Sequence, residues 1–180
     1  MFDVVSDEVA MPGGGVAQRD YIRHIGAVGV VAVDERDRVV LVRQYRHPLG
    51  RALWELPAGL RDVDGEDLAA TARRELAEEA DLVAGRLDLL VDLHTSPGCS
   101  NEMIRLFLAR DLTPVPDAER HERHDEEAGL TVAWYDLDEA IGLIFAGEMT
   151  NGPAVAGLLA AAHARTANWT TLRPITTPLP

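Results

Sequence analysis

Between Glu66 and Ala80 the residues Leu68, Ala72, Leu76 and Ala80 recur at four-residue steps, and the positions between them are mostly Ala, Arg and Glu. Those are strong helix formers, so the spacing predicts an amphipathic helix with one side that must be buried. On another side Glu75, Glu78 and Glu79 fall within about 100° of one another. A glycine-containing loop, Pro57 to Gly65, feeds into this helix. Like charges at i and i+4 destabilise an isolated helix, so three converging carboxylates beside Arg73 and Arg74 cost stability unless a cation sits among them. A hard divalent ion, Mg²⁺ or Mn²⁺, takes oxygen ligands and is commonly shared with substrate phosphates. The acidic side therefore points to phosphate chemistry, although the same residues also suit a solvated helical surface.

Around that helix the pattern is of short strands. Phe2–Val9 alternates, ends in the reversal Met11–Gly15, and is followed by a second alternating run, Val16–Arg23, which predicts a small antiparallel appendage suited to a dimer contact. Ile25–Val33 is rich in β-branched residues, and after the turn Asp34–Asp37 the run Arg38–Val42 reads as its hairpin partner. Arg51–Leu56 reads as a short strand entering the glycine loop. Leu87–His94 and Ile104–Ala109 read as strands flanking the loop Thr95–Glu102. Asp117–Glu127 is a charged run without an apolar side, predicted as a mobile surface loop ahead of the strand Leu130–Tyr135. Two helices follow, Leu137–Ala146 and Gly152–Arg165, the second capped by Asn151 with Pro153 in its first turn. From Thr166 onward the chain loses periodicity and reads as a tail, disordered or laid across a neighbour. The expected division is an appendage over 1–24, a domain over 25–165 and a tail over 166–180.

A chain of 180 residues with 47% hydrophobic content is the size of one domain. The net charge of −13 argues against a nucleic acid or an anionic membrane as the main partner. Neither a signal peptide nor a membrane span is evident, and a cytoplasmic location is expected. The single cysteine, Cys99, excludes an internal disulfide framework, and no protease or thioesterase motif surrounds it. His121 and His124 lack a clear third ligand for zinc.

Gly59, Glu66 and the run Arg74-Glu75-Leu76-x-Glu78-Glu79 together resemble the Nudix box, G-x5-E-x7-R-E-U-x-E-E-x-G-U, with U a bulky aliphatic. Two departures stand out. Six residues, not five, separate Gly59 from Glu66, and Asp81 replaces the final glycine of the box. The loop can absorb one residue, and Asp tolerates the left-handed conformation of helix ends. The resemblance, over roughly Gly26 to Ala162, implies an α/β fold, the Nudix-type α/β/α sandwich with a mixed sheet. Arg46, the segment Trp54–Leu60 and the Ser96-Pro97-Gly98-x-Ser100 loop look like the ADP-ribose pyrophosphatase branch, which carries a proline downstream of its box as Pro97 stands here.

That resemblance implies hydrolysis of ADP-ribose with Mg²⁺ or Mn²⁺ by a homodimer. Glu75 and Glu79 are then the main metal ligands, the carbonyl of Ala58 completes the site, Glu78 is a secondary ligand, and Arg74 holds the carboxylates. The acidic loop supplies the general base, Glu127 or its neighbour Glu126. Arg46 is expected on a phosphate or terminal ribose, Ser100 and Glu102 on sugar hydroxyls, and Arg19 near adenine. Two other readings compete: hydrolysis of another nucleoside diphosphate sugar or dinucleotide, and a Nudix-fold sensor that binds such a ligand without cleaving it.

Overall fold

The computed structural model describes residues 2–124 and 129–180. Strands β1 (Phe2–Ala10) and β2 (Val16–His24) form an antiparallel hairpin of their own, in register from Phe2 opposite His24 to Ala10 opposite Val16. Its turn places Gly14 and Gly15 at φ 88° and 83°, angles that glycine adopts without a steric penalty.

The main body holds two sheets. In the first, β3 (Ala27–Ala32) lies between β6 (Ala58–Leu60), antiparallel to it, and β8 (Met103–Pro114), parallel to it; β7 (Leu82–His94) flanks β8. In the second, β4 (Arg38–Arg46) is flanked by β5 (Arg51–Glu55) and β9 (Thr131–Asp136), both antiparallel. The expected hairpin between Ile25–Val33 and Arg38–Val42 is thereby corrected. After the turn at Asp34–Asp37 the two strands share one bridge, Val33 to Val39, and then part into different sheets. Every residue of β3 is buried, so it needs a neighbour on each edge and a cover on each side, which a two-stranded hairpin cannot supply.

Those covers are α1 (Leu68–Ala80) and α3 (Gly152–Thr166), with α2 (Leu137–Phe145) packed against α3. Ala72, Leu76 and Ala80 meet Val28, Val30 and Phe107 in one apolar layer. Ala154, Leu158 and Ala161 meet Val31, Leu106 and Leu108 in the other. Alternate residues of β3 and β8 thus serve opposite layers, as strand periodicity requires. Gly157 lets α3 approach closely, since a Cβ there would lie 2.8 Å from Leu56 Cδ1 and 2.9 Å from Val31 Cγ2. The α/β/α sandwich with a mixed sheet agrees with the expectation.

Local signals set the helix ends. The Asp67 side chain accepts from the Ala70 N–H, and that of Asn151 from the Ala154 N–H, each capping a free amide. Asp81 closes α1 at φ 55°, in the left-handed region anticipated for it. The C-terminal residues depart from expectation, because they run back over the chain's own sheet. Arg173 pairs with Leu89, while Arg105, only 2% exposed, forks onto Asp92 at 2.6 and 3.0 Å and donates to the carbonyls of Thr177 and Pro178. A guanidinium buried that deeply needs its donors filled, and the tail fills those Asp92 does not. No described helix is long and apolar enough to cross a membrane.

Candidate active site

Helix α1 turns Glu75 and Glu79 inward against β6, and both are buried, at 7% and 5% exposure. Glu79 Oε2 accepts the Ala58 N–H at 2.8 Å. Glu75 presses on the backbone of Gly59 so closely that a Cβ built there would lie 2.0 Å from Glu75 Cδ. The glycine of the sequence pattern is therefore a hole for a carboxylate. Arg74 serves as the hub, with Nη1 donating to Glu75 Oε1 at 2.6 Å and to Glu78 Oε2 at 3.2 Å, and Nη2 donating to Glu66 Oε2 at 3.1 Å. The Glu66 hydrogen bond, followed by the field of the neighbouring carboxylates, holds Arg74 firmly protonated, and the same hydrogen bond holds Glu66 below the usual carboxylate range. Burial pushes the Glu75 carboxyl up, against the pull of Arg74.

One guanidinium thus faces Glu66, Glu75, Glu78 and, at 3.5 Å, Asp62, which leaves the cluster net negative. Among the described residues no three acidic, His or Cys side chains close on one point as a ready cage, for Glu75 and Glu78 share Arg74 while Glu79 turns to Ala58. The donor set still fits a hard divalent ion: the donors are all oxygen, two of the carboxylates are desolvated, and a glycine hole holds one of them in place.

Beside β6 opens a cleft of about 670 Å³, lined among others by Arg46, Glu55, Ala58, Gly59, Thr95 and Glu102. Arg46 forks onto the buried Glu55 through Nε at 3.0 Å and Nη2 at 2.8 Å, a paired geometry that fixes its direction. Thr95 Oγ1 donates to Glu102 Oε2, and His24 Nε2 stands 3.7 Å from Glu102 Oε1. The loop carrying Glu102 is bonded to the N-terminal hairpin: the Ile22 N–H donates to Cys99 O, the Asn101 N–H to Ile22 O, and the His24 N–H to Asn101 Oδ1.

The predicted substrate contacts divide by position. Arg46 and Glu102 both line the cleft. Pro97 and Ser100 line a separate shallow depression with Tyr21 and Cys99, where Ser100 Oγ accepts the Glu102 N–H at 3.0 Å. Arg19 lies on the exposed hairpin, donating to Gln18 O. Glu126 and Glu127 lie outside the described residues. Sequence reasoning missed three groups. Glu55 had a signal, because it shares the buried side of β5 with Leu53 and a buried carboxylate requires a cation. His24 and Arg123 had none, since their partners are distant in sequence. Arg123, from the charged run, donates to Glu78 O, Glu79 O and Asp81 Oδ2.

Comparison with known proteins identifies the family. The NUDIX domain family matches residues 23–158. The ADP-ribose pyrophosphatase of Mycobacterium tuberculosis is 47% identical over 177 residues, covering 98% of this chain and 84% of that protein. The ADP-ribose pyrophosphatase of Bacillus subtilis is 34% identical over 144 residues, covering 80% and 76%. The crystal structure of an ADP compounds hydrolase shares the fold at a TM-score of 0.78 and 22% identity, covering 93% of this chain and 88% of that one. The family match spans β3, the glycine hole, the carboxylate helix and the loop of Glu102 alike, and this chain belongs to the NUDIX domain family.

Proposed function

We propose that the chain is a hydrolase that splits the diphosphate of ADP-ribose into AMP and ribose 5-phosphate, acting as a homodimer in the cytoplasm with Mg²⁺ or Mn²⁺. The observation that carries this reading is the seating of Glu75 and Glu79, both buried, against Ala58 and Gly59 on the floor of the cleft that Arg46 and Glu102 line. The names of the two relatives supply the substrate.

Glu75, Glu79 and Glu78, with the carbonyl of Ala58, would hold the divalent ion. When bound, the ion supplies neutralisation of the charge carried by two adjacent phosphoryl groups. The protein does the rest. Arg74 holds Glu75 and Glu78 by hydrogen bonds, and the Ala58 N–H holds Glu79, so each carboxylate is kept beside the site by a donor that an entering ion would have to share or replace. Arg46, oriented by Glu55, presents its charge to a phosphate or the terminal ribose. Glu102, held by Thr95, accepts from sugar hydroxyls, with Ser100 and Pro97 shaping the loop behind it. Arg19 is assigned to the adenine end, where a second subunit would meet the hairpin. Glu127, with Glu126 as its neighbour, takes a proton from the attacking water; the oxygen of that water bonds to phosphorus as the bridging P–O bond breaks.

The test is AMP release from ADP-ribose with Mg²⁺ by wild type and by Glu79→Gln. The variant is expected to lose more than about a thousandfold in kcat, as a misplaced or missing group in such a constellation costs. A wild-type protein that releases no AMP while turning over another diphosphate would overturn the substrate; an undiminished Glu79→Gln would overturn the site.

A further inference from the structure

The Nudix pattern has glycine where this chain has Asp81. Asp81 sits at φ 55°, a conformation that glycine adopts with less cost. Its carboxylate has a partner: Arg123 Nη2 donates to Asp81 Oδ2 at 2.8 Å. The same guanidinium donates through Nη2 to Glu79 O at 3.0 Å and through Nε to Glu78 O at 3.1 Å. Both carbonyls belong to the last turn of α1, where carbonyls lack partners within the helix. That turn carries no basic residue of its own, so Arg123 brings from the segment between β8 and β9 the positive charge that the helix end favours. The two carbonyls it grips are those of Glu78 and Glu79, whose side chains belong to the acidic cluster.

We propose that Asp81 and Arg123 form a lock on the end of α1, and that Arg123 is a positioning residue which holds Glu78 and Glu79 in the register the metal site requires. The proposal rests on the reading of Glu75, Glu78 and Glu79 as the metal-holding carboxylates. Asp81 orients the guanidinium, and the guanidinium fixes the backbone of the two glutamates. A glycine at 81 would relieve the turn but leave Arg123 with carbonyls alone.

The experiment compares wild type with Asp81→Gly, Arg123→Ala, Arg123→Lys and the double variant Asp81→Gly/Arg123→Ala. Mn²⁺ affinity is measured without substrate by paramagnetic resonance of the free ion, alongside kcat and KM for AMP release from ADP-ribose. Asp81→Gly and Arg123→Ala are each expected to weaken Mn²⁺ binding and lower kcat by about tenfold, the scale of groups that orient metal ligands. KM should stay within about twofold, because no contact to substrate is removed. The double variant should fall no further than Arg123→Ala, as partners in one interaction do. Arg123→Lys should recover part of the loss, since an ammonium reaches the carboxylate but cannot span three acceptors. Misfolding does not explain a loss in Asp81→Gly, because glycine suits that turn better than aspartate. Wild-type Mn²⁺ affinity and kcat in Asp81→Gly, or losses that multiply in the double variant, would overturn the lock. A wild-type protein that binds no Mn²⁺, or a fully active Glu79→Gln, would instead overturn the reading of the metal site.

Discussion

Replacing Gly59 by alanine adds one methyl group where the structure has no room for it. The new Cβ would lie 2.0 Å from Glu75 Cδ and 2.1 and 2.4 Å from its two oxygens, against the 3.4 Å at which ordinary contact begins. The carboxylate must therefore retreat by ~1.4 Å, because Gly59 itself is fixed in register opposite Val28. Arg74 resists that retreat through the 2.6 Å bond to Glu75 Oε1. Overpacking of this kind costs about 1–3 kcal/mol of stability, or roughly 2–4 °C in Tm for each kcal/mol in a domain of this size. Activity should suffer far more, because a misplacement of about 1 Å in a reacting constellation costs on the order of a hundredfold. The expected Gly59→Ala protein is folded, with a modest fall in Tm, a kcat lower by about a hundredfold and weakened Mn²⁺ binding. Thermal melting, AMP release and Mn²⁺ titration on one preparation measure all three. The control is Gly142→Ala in α2, where nothing lies within 4 Å of the added methyl. A Gly59→Ala protein that keeps wild-type kcat and Mn²⁺ affinity would refute the reasoning, for Glu75 would then have moved without consequence.

Two further outcomes follow from the same site. Glu127→Gln should slow hydrolysis by about 10²–10⁴-fold, the contribution of a general base, and leave Mn²⁺ affinity unchanged; an unaltered rate would pass the role to Glu126. Glu75 is raised by burial, so the folded protein binds its proton more tightly than the unfolded chain does. Metal-free protein should therefore lose stability as pH climbs from the ordinary glutamate range through the raised value of Glu75. Thermal melts in chelator across that range should show a slope that Glu75→Gln removes and that added Mg²⁺ offsets; a slope identical in both proteins would exclude Glu75 as its source.

What was legible in the sequence was local. Asn151 and Asp81 act on an amide and a turn within a few residues of themselves, and the spacing of Leu68, Ala72, Leu76 and Ala80 reports one side of one helix. Strand pairing is not local. β3 and β4 carry the same β-branched character on either side of a tight turn, and nothing in that character says that they part after one bridge. Arg105 reads as an ordinary strand arginine until register sets it opposite Asp92 and beneath the tail. In the site, the box gathered Glu66, Arg74, Glu75, Glu78 and Glu79 because one helix and its entry loop carry them all. Glu55 showed only as a carboxylate on the buried side of β5, with nothing to name Arg46 as its partner, and Arg123 acts across turns and strands, so no spacing rule reached it.

Ile22 has both of its backbone polar groups bonded to the loop Thr95–Glu102, and Asn101 caps the next link through the His24 N–H. The N-terminal hairpin is thus bound to the rim of the cleft rather than hung beside it. Cys99 O, the Asn101 N–H and Asn101 Oδ1 are filled by residues of β2, and a chain trimmed to residue 25 would leave all three to water. Anyone transplanting this hairpin onto a related scaffold, or exchanging the Glu102 loop to alter what the cleft accepts, has to move the two segments together.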